Sequence, residues 1–406
     1  MTATIDKMKA VGSSSEQCSP SGSTSKKRFT LDGSAELEAH LEQTGRQVLD
    51  GILRVVPQKK LEAVVLGGGY GRGEGGLLKS ENGDRPYNDL EFYVLIRGNH
   101  LLNDRRYFAA LHDLAARLSS TAGVDVEFKI LSLAKLRRSP ISMFYYDLVM
   151  GHRWLHGDET FLNGCEHHRQ SERIPLSEAT RLLMNRGAGL LFARERLHRI
   201  SFSMDDADFV GRNLAKAQLA FGDAVLTAFG QYHWSCRERH QRLKRLLAQA
   251  DMPWLEDVKK HHAAGVNFKL HPWRSNAPAS VLQERAEEII SLALQLWLWV
   301  EERRLCVSFP SPSDYALNST NKCPEASPWR NRLVNLRTFG PAVAFNSGGN
   351  RYPRERLFNA LMLLLASPRS ESSLGTLHLT KKILLTDDTD FSHTLKIFHH
   401  LWSRFS

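Results

Sequence analysis

Two pairs of carboxylates in this chain share a spacing and a kind of neighbour. Asp89 and Glu91 open the apolar segment DLEFYVLI, and Asp125 and Glu127 alternate with apolar residues in GVDVEFKIL. Residues i and i+2 of a strand lie on one face, so each pair points one way. If the second segment pairs beside the first, the acids form a cluster that is costly to hold without cations. Asp89 and Glu91 could then hold two divalent ions between them, and an all-oxygen ligand set favours Mg²⁺ or Mn²⁺. Asp125, with hydrophobic neighbours on both sides, is the preferred third ligand, and Glu127 is the alternative.

A glycine turn precedes these acids. The run LEAVVL empties into Gly67, Gly68 and Gly69, followed by Arg72 and Gly73. Lacking a Cβ, such a turn lets backbone N–H groups approach phosphate oxygens. Arg72 either touches phosphate or serves as a salt-bridge partner within the loop. Lys216, on a helix expected to face the cleft, either steadies a triphosphate or stands as an ordinary exposed lysine. Gly71, Gly73 and Gly76 also satisfy G-x-G-x-x-G. A dinucleotide fold, however, needs a helix starting inside that motif, and GGLLKSENGDRP breaks any helix there. No GxxxxGK[ST] follows, which removes the P-loop.

The elements that must position these residues are legible as patterns. Ser34 is suited to cap a helix carrying Leu37, Leu41, Val48, Ile52 and Val55 at helical spacing, closed by Pro57. LEAVVL reads as a short buried strand, ENGDRPYN as a polar loop, and Asp89–Ile96 as a second strand. RRYFAALHDLAARL is an amphipathic helix. GVDVEFKIL alternates strictly, with Val124, Val126, Phe128 and Ile130 opposite Asp125, Glu127 and Lys129. YYDLVMGHRWLHGD reads as one more strand ending at a turn. From about Pro175 the periodicity is helical, in LSEATRLLMNRGAGLLFARERL, DFVGRNLAKAQLAFGDAVLTAFGQY, RERHQRLKRLLAQA and ERAEEIISLALQLWLWVEERR. A Pro/Ser/Asn-rich stretch between Pro310 and Pro328 reads as a long loop, with helical segments after it. The order, strands first and helices after, gives an α+β head over 34–165 and an all-α body over 166–406, divisible near 310–328. Residues 1–33 have the Ser/Gly/Lys bias of a disordered tail.

Composition narrows the class. At 406 residues, 42% hydrophobic and 24% charged, the chain is of globular type and large enough for more than one core. The net charge of +10 resides in the body, which carries +9 against −1 in the head and +2 in the tail. A surface facing phosphates or an acidic partner, or a solvated Arg-rich helical surface, would produce that surplus. Five scattered cysteines without a CxxC pair read as free thiols in a reducing cytosol. No apolar run is long enough to span a bilayer and no secretory signal is evident, so the expected compartment is the cytoplasm. The adjacent histidines His167–His168 and His261–His262 read as surface residues, and Trp297 and Trp299 as core. RERLH, with three residues between Arg194 and His198, is too short for the Arg/His motif of helical ribonuclease partners.

The order VVLGGGYGRG, NDLEFYV, VDVEFKI resembles the polymerase-β-type nucleotidyltransferase superfamily. That family carries a Gly-Gly or Gly-Ser turn after its first strand, then Asp-x-Asp or Asp-x-Glu, then a third acid on a later strand. Gly68 and Gly69 match the glycine pair, Arg72 and Gly73 its Arg-Gly extension, and Asn88 the position where Ser often precedes the first acid. MGHRWLHGD is similar to the strand closing that domain in minimal and antibiotic-modifying members. RNLAKAQLAFGDAVL is similar to the helix that packs against their head. Asp89 follows Gly69 by 20 positions, more than the family's usual interval, which makes the ENGDRP stretch an insertion. The resemblance implies a mixed sheet with flanking helices, followed by the helical body. It also implies an enzyme that moves a nucleoside monophosphate from a nucleoside triphosphate to an acceptor hydroxyl and releases pyrophosphate. In that role Asp89, Glu91 and Asp125 (or Glu127) would hold Mg²⁺ or Mn²⁺, and Gly68 and Gly69 would cradle the β- and γ-phosphates. An aminoglycoside-like small molecule, an RNA end or a protein side chain would serve as acceptor. The alternative is an inactive head that binds nucleotide or acts as a toxin–antitoxin-type partner.

Overall fold

In a computed structural model of the chain, the described residues are 28–346, 348–367, 374–386 and 391–405. The first helix, α1 (Ala35–Val55), begins where Ser34 accepts a hydrogen bond from the Leu37 N–H and buries Leu37, Leu41, Val48 and Ile52. There follow β1 (Leu61–Leu66), the short α2 (Gly68–Arg72), β2 (Leu77–Ser80), β3 (Gly83–Pro86), β4 (Leu90–Ile96), α3 (His100–Ala122) and β5 (Val126–Leu131). The head closes with α4 (Leu133–Arg138), α5 (Met143–Met150) and β6 (Arg153–Gly157).

Four strands form a mixed sheet in the order β5-β4-β1-β6. β1 is antiparallel to β4 and β6, whereas β4 and β5 are parallel, with α3 supplying the crossover that a parallel pair needs. Val64, Leu66, Phe92 and Val94 pack beneath α1 and α3, and Ala63, Val65, Tyr93 and Leu95 pack against α4 and α5. Burial on both faces explains why LEAVVL is a nearly unbroken apolar run.

Three segments depart from the sequence reading. Residues 28–33 belong to the head rather than to a tail: Phe29 and Thr30 are buried, and both N–H groups donate to the Glu38 carboxylate at 2.7 and 3.0 Å. The rest of the expected tail, residues 1–27, lies outside the described residues. The polar insertion is a hairpin, β2 paired with β3, because Gly83 takes a left-handed φ of 97° that closes the turn. YYDLV is helix, with only RWLHG extended. The Ser142 side chain caps the Tyr145 N–H, and Tyr146, Leu148 and Val149 are buried, so capping and packing override the β preference of the tyrosines.

The body comprises α6 (Ser177–Leu197), α7 (Met204–Ala228), α8 (Cys236–Arg245), α9 (Leu255–Leu270) and α10 (Ala279–Leu305). α11 (Pro312–Leu317), α12 (Pro328–Phe339), α13 (Pro341–Ala344), α14 (Arg354–Ala366), α15 (Leu374–Leu384) and α16 (Phe391–Phe405) complete it. α7 starts with a capping box between Ser203 and Asp206 and runs through the body, buried on several sides. α9 meets it closely: a Cβ on Gly265 would lie 2.4 Å from the Leu219 backbone nitrogen. Phe309, Tyr315 and Cys323 share one core with α6, α7, α10 and α14, so that core continues through 310–328, which also contains α11. Trp297 and Trp299 are buried in it as expected. His168, His261 and His262 are buried, contrary to the surface reading. His168 meets the Leu136 carbonyl, His261 meets Gln218, and His262 lies between His240 and Asp223. Among the described residues no helix is long and apolar enough to cross a membrane.

Candidate functional site

The parallel register brings the two acid pairs together. Leu90 pairs with Val126 and Glu91 with Glu127, which sets the two carboxylate rows side by side at one end of the sheet. Ligand oxygens of Asp89, Glu91 and Glu127 lie within 4.8 Å of one another. Asp125 lines the same cleft but lies outside this group, in which Glu127 takes the third place expected of Asp125. The reason is register. Glu127 sits directly across from Glu91, whereas the shorter Asp125 precedes β5.

Charge in the cluster is partly balanced from within. Lys129, two residues beyond Glu127 on the same face, places its Nζ 2.8 Å from Glu91 Oε1 and 3.6 Å from Glu127 Oε2. The Tyr93 hydroxyl donates to Glu91 Oε2 at 3.2 Å. Loss of solvent, and then the charges of Glu91 and Glu127, push the Asp89 carboxyl above its ordinary pKa. Desolvation works against the Lys129 charge, but the hydrogen bond to Glu91 and the attraction of the three acids outweigh it and raise its pKa.

The glycine turn touches this cluster at one point. Gly68 has φ 60°, and a Cβ there would stand 3.1 Å from Glu91 Oε2. Gly69 packs against the Glu74 carbonyl, where a Cβ would come within 2.9 Å, and Gly73 ends α2 in the left-handed region. Gly68 and Arg72 border a separate hollow of about 120 Å³, together with Glu91, Tyr93 and Asp147.

Of the two roles open to Arg72, the salt bridge is the one present. Its Nη1 lies 2.8 Å from Asp147 Oδ2, and only 10% of the side chain is exposed. Asp147 also accepts from the Tyr232 hydroxyl at 3.2 Å, and Arg239 donates to that hydroxyl while pairing with Asp223 at 2.7 Å. Beside this chain, buried Glu74 accepts from Ser235 Oγ at 2.5 Å and from the Cys236 N–H at 2.9 Å. The glycine loop thereby caps the N-terminus of α8. Burial alone would raise the Glu74 pKa, but the hydrogen bonds from Ser235 and Cys236 hold it below the ordinary glutamate value. These contacts join head to body and fix the walls of the cleft.

That cleft, about 410 Å³, has Asp89, Asp125 and Glu127 on the head side and Arg186, Arg212, Lys216 and Lys269 on the body side. The cations come from three helices: Arg186 from α6, Arg212 and Lys216 from α7, and Lys269 from α9. Arg212 pairs with Asp208 at 3.2 Å, whereas Arg186, Lys216 and Lys269 have no hydrogen-bond or ion-pair partner among the described residues. Loss of solvent lowers the pKa of all three, and for Lys216 the neighbouring Arg186 and Arg212 lower it further. Tyr87 and Phe268 add aromatic surface, their rings edge to face at 6.1 Å.

Of the residues singled out in the sequence, Asp89, Glu91 and Glu127 come together as one carboxylate group, and Asp125 and Lys216 line the cleft; Lys129, Glu74, Arg186, Arg212 and Lys269 are not singled out by the sequence reading. Lys129 was available from the strand alternation that marked the acids. The helical cations carry no common local signal. No protein-family model matches the chain, and no curated protein is found similar to it.

Proposed function

We propose that this chain is a metal-dependent nucleotidyltransferase that moves a nucleoside monophosphate from a nucleoside triphosphate to an acceptor hydroxyl, with release of pyrophosphate. One observation carries the reading: Asp89 and Glu127 of the three-carboxylate cluster, with Asp125 beside them, face four cations across a cleft of about 410 Å³, and three of those cations have no hydrogen-bond or ion-pair partner among the described residues. A metal–triphosphate complex suits such opposed walls, since its cation needs oxygen ligands and its phosphates need positive charge. The resemblance of the glycine turn and the acid spacing to polymerase-β-type enzymes supports the same assignment.

The donor set fits a hard divalent ion, being all carboxylate and closely spaced, and Asp89, Glu91 and Glu127 would hold it. Such an ion would lower the pKa of the acceptor hydroxyl and offset charge gathering on the phosphate. The protein's own contributions are binding and orientation. Arg186, Lys216 and Lys269 bind phosphate oxygens and draw charge toward the leaving pyrophosphate. Tyr87 and Phe268 offer apolar surface to the base. Lys129 offsets the repulsion among the three carboxylates and would give up Glu91 to a bound ion.

A second reading, nucleotide binding without turnover, draws on that same lysine: its ammonium already stands between Glu91 and Glu127, where a cation would act. The test is incubation with α-³²P-labelled ATP, CTP, GTP and UTP plus Mg²⁺ and a panel of acceptors. Asp89→Ala/Glu91→Ala and Lys129→Ala run alongside. Transfer that vanishes in the double variant supports catalysis. Nucleotide binding by calorimetry without transfer supports the second reading, and the absence of both sinks the two together.

A further inference from the structure

A second hollow also reaches the acids. β5 is an edge strand, with β4 on one side and, among the described residues, no strand on the other. The Leu90 N–H donates to the Asp125 carbonyl at 2.8 Å, so the odd-numbered residues of β5 direct their backbone groups toward β4. The N–H and C=O groups of Val126, Phe128 and Ile130 therefore turn to the open edge, where Ser119 Oγ meets the Val126 N–H at 2.9 Å. A groove of about 420 Å³ follows this edge, walled by Phe108, His112 and Ala116 of α3 and by Phe128. Asp125 and Glu127 line it as well, and Asp125 and Glu127 are also the residues it shares with the cationic cleft. Phe108 stands 57% exposed at its mouth.

An open strand edge has a specific complement. Its alternating donors and acceptors match the backbone of another extended polypeptide. A strand laid along β5 would send alternate side chains to opposite faces. One set would enter the apolar groove against Phe108 and Phe128, and the other would stand over the acid face beside Glu127. We infer that the acceptor, granted the transferase reading above, is a side-chain hydroxyl of a polypeptide bound as an added strand on β5, flanked in its sequence by apolar residues. In the transfer the hydroxyl oxygen bonds to the α-phosphorus, and the bond from that phosphorus to the pyrophosphate oxygen breaks with its electron pair. The hydroxyl proton passes to the carboxylate of Asp125, which borders both hollows.

The experiment offers the full chain, with α-³²P-labelled nucleotides and Mg²⁺, a positional-scanning library of short peptides bearing a central Tyr, Ser or Thr. Bulk tRNA and a panel of aminoalcohols run in parallel. The expected label falls on peptides with apolar residues on both sides of the hydroxyl residue. N-methylation of alternate amides in one register, but not in the other, cuts labelling roughly tenfold or more. Phe108→Glu does the same without changing the nucleotide Kd. Label on tRNA or an aminoalcohol with the peptides bare, or indifference to N-methylation in both registers, overturns the peptide acceptor and leaves the transferase reading standing. Nucleotide bound without label on any acceptor overturns both.

Discussion

Lys269 provides a test in which stability and function move in opposite directions. It lies on α9 at the cleft, partly buried, with no hydrogen-bond or ion-pair partner among the described residues. Burial, and then the nearby charge of Arg72, depress its pKa. A lysine whose folded pKa lies below its unfolded value of about 10.4 destabilises the fold while charged. Between the folded and unfolded pKa the unfolded chain binds more protons, so stability rises with pH there. Lys269→Met removes the uncompensated charge at nearly constant volume. It should stabilise the apo protein by about 1–2 kcal/mol at neutral pH, with a gain that shrinks as pH climbs toward about 10. If Lys269 instead serves a triphosphate, the same change deletes a charge-assisted hydrogen bond of about 1.5–3 kcal/mol. The Kd for Mg·ATP should then rise roughly 10- to 100-fold. Urea unfolding across pH and calorimetric titration read the two effects separately. A variant that is less stable and binds ATP like the parent would refute the reasoning and make Lys269 a structural residue.

Three further outcomes follow from the geometry. Glu127→Gln should weaken Mn²⁺ binding, followed by electron paramagnetic resonance, by roughly tenfold or more, while Asp125→Asn changes it by less than about threefold. The reverse order would restore Asp125 as the third ligand. Glu74→Gln should cost about 1–3 kcal/mol at neutral pH by weakening the cap on α8. Because the folded pKa of Glu74 is lowered, its contribution is complete above the unfolded value of about 4.3 and fades as pH falls through the folded one, so parent and variant converge in acid. Fully buried Glu301 accepts from Thr180 Oγ1 and Arg304 Nε, both at 2.6 Å, and from the Tyr315 hydroxyl at 2.8 Å. Glu301→Ala should therefore lower stability by about 3–5 kcal/mol in denaturant titration, since it strands a buried guanidinium.

Local signals carried the head's elements well where they were chemically specific. Ser34 marks the start of α1 through a side-chain cap, and LEAVVL and DLEFYVLI announce strands by apolar continuity. They failed where two conformations compete at close energies. YYDLV has β-prone residues but a serine ahead of it, and the Ser142 cap with burial of Tyr146 and Val149 decides for helix. ENGDRP is polar throughout, so only its pairing with LLKS makes it a hairpin. The histidine pairs misled because adjacency says nothing about depth. His262 is buried because Asp223 and His240 reach it from other helices.

The acids divide in the same way. Alternation along a strand is a local property of the chain, and it alone put Asp89 with Glu91 and Asp125 with Glu127. Which of the second pair joins the first depends on the register between β4 and β5, a relation between segments joined by α3. The opposing wall lies further from any local signal. Arg186, Lys216 and Lys269 sit on three helices, indistinguishable one by one from surface cations. Only the packing of α6, α7 and α9, held to the head through Arg72–Asp147 and Glu74–Ser235, turns them toward the carboxylates. The sequence by itself determined which residues could do chemistry, because residue type and strand period are written in the chain. The tertiary structure decided which of them meet, because distance across a cleft is set by long-range packing.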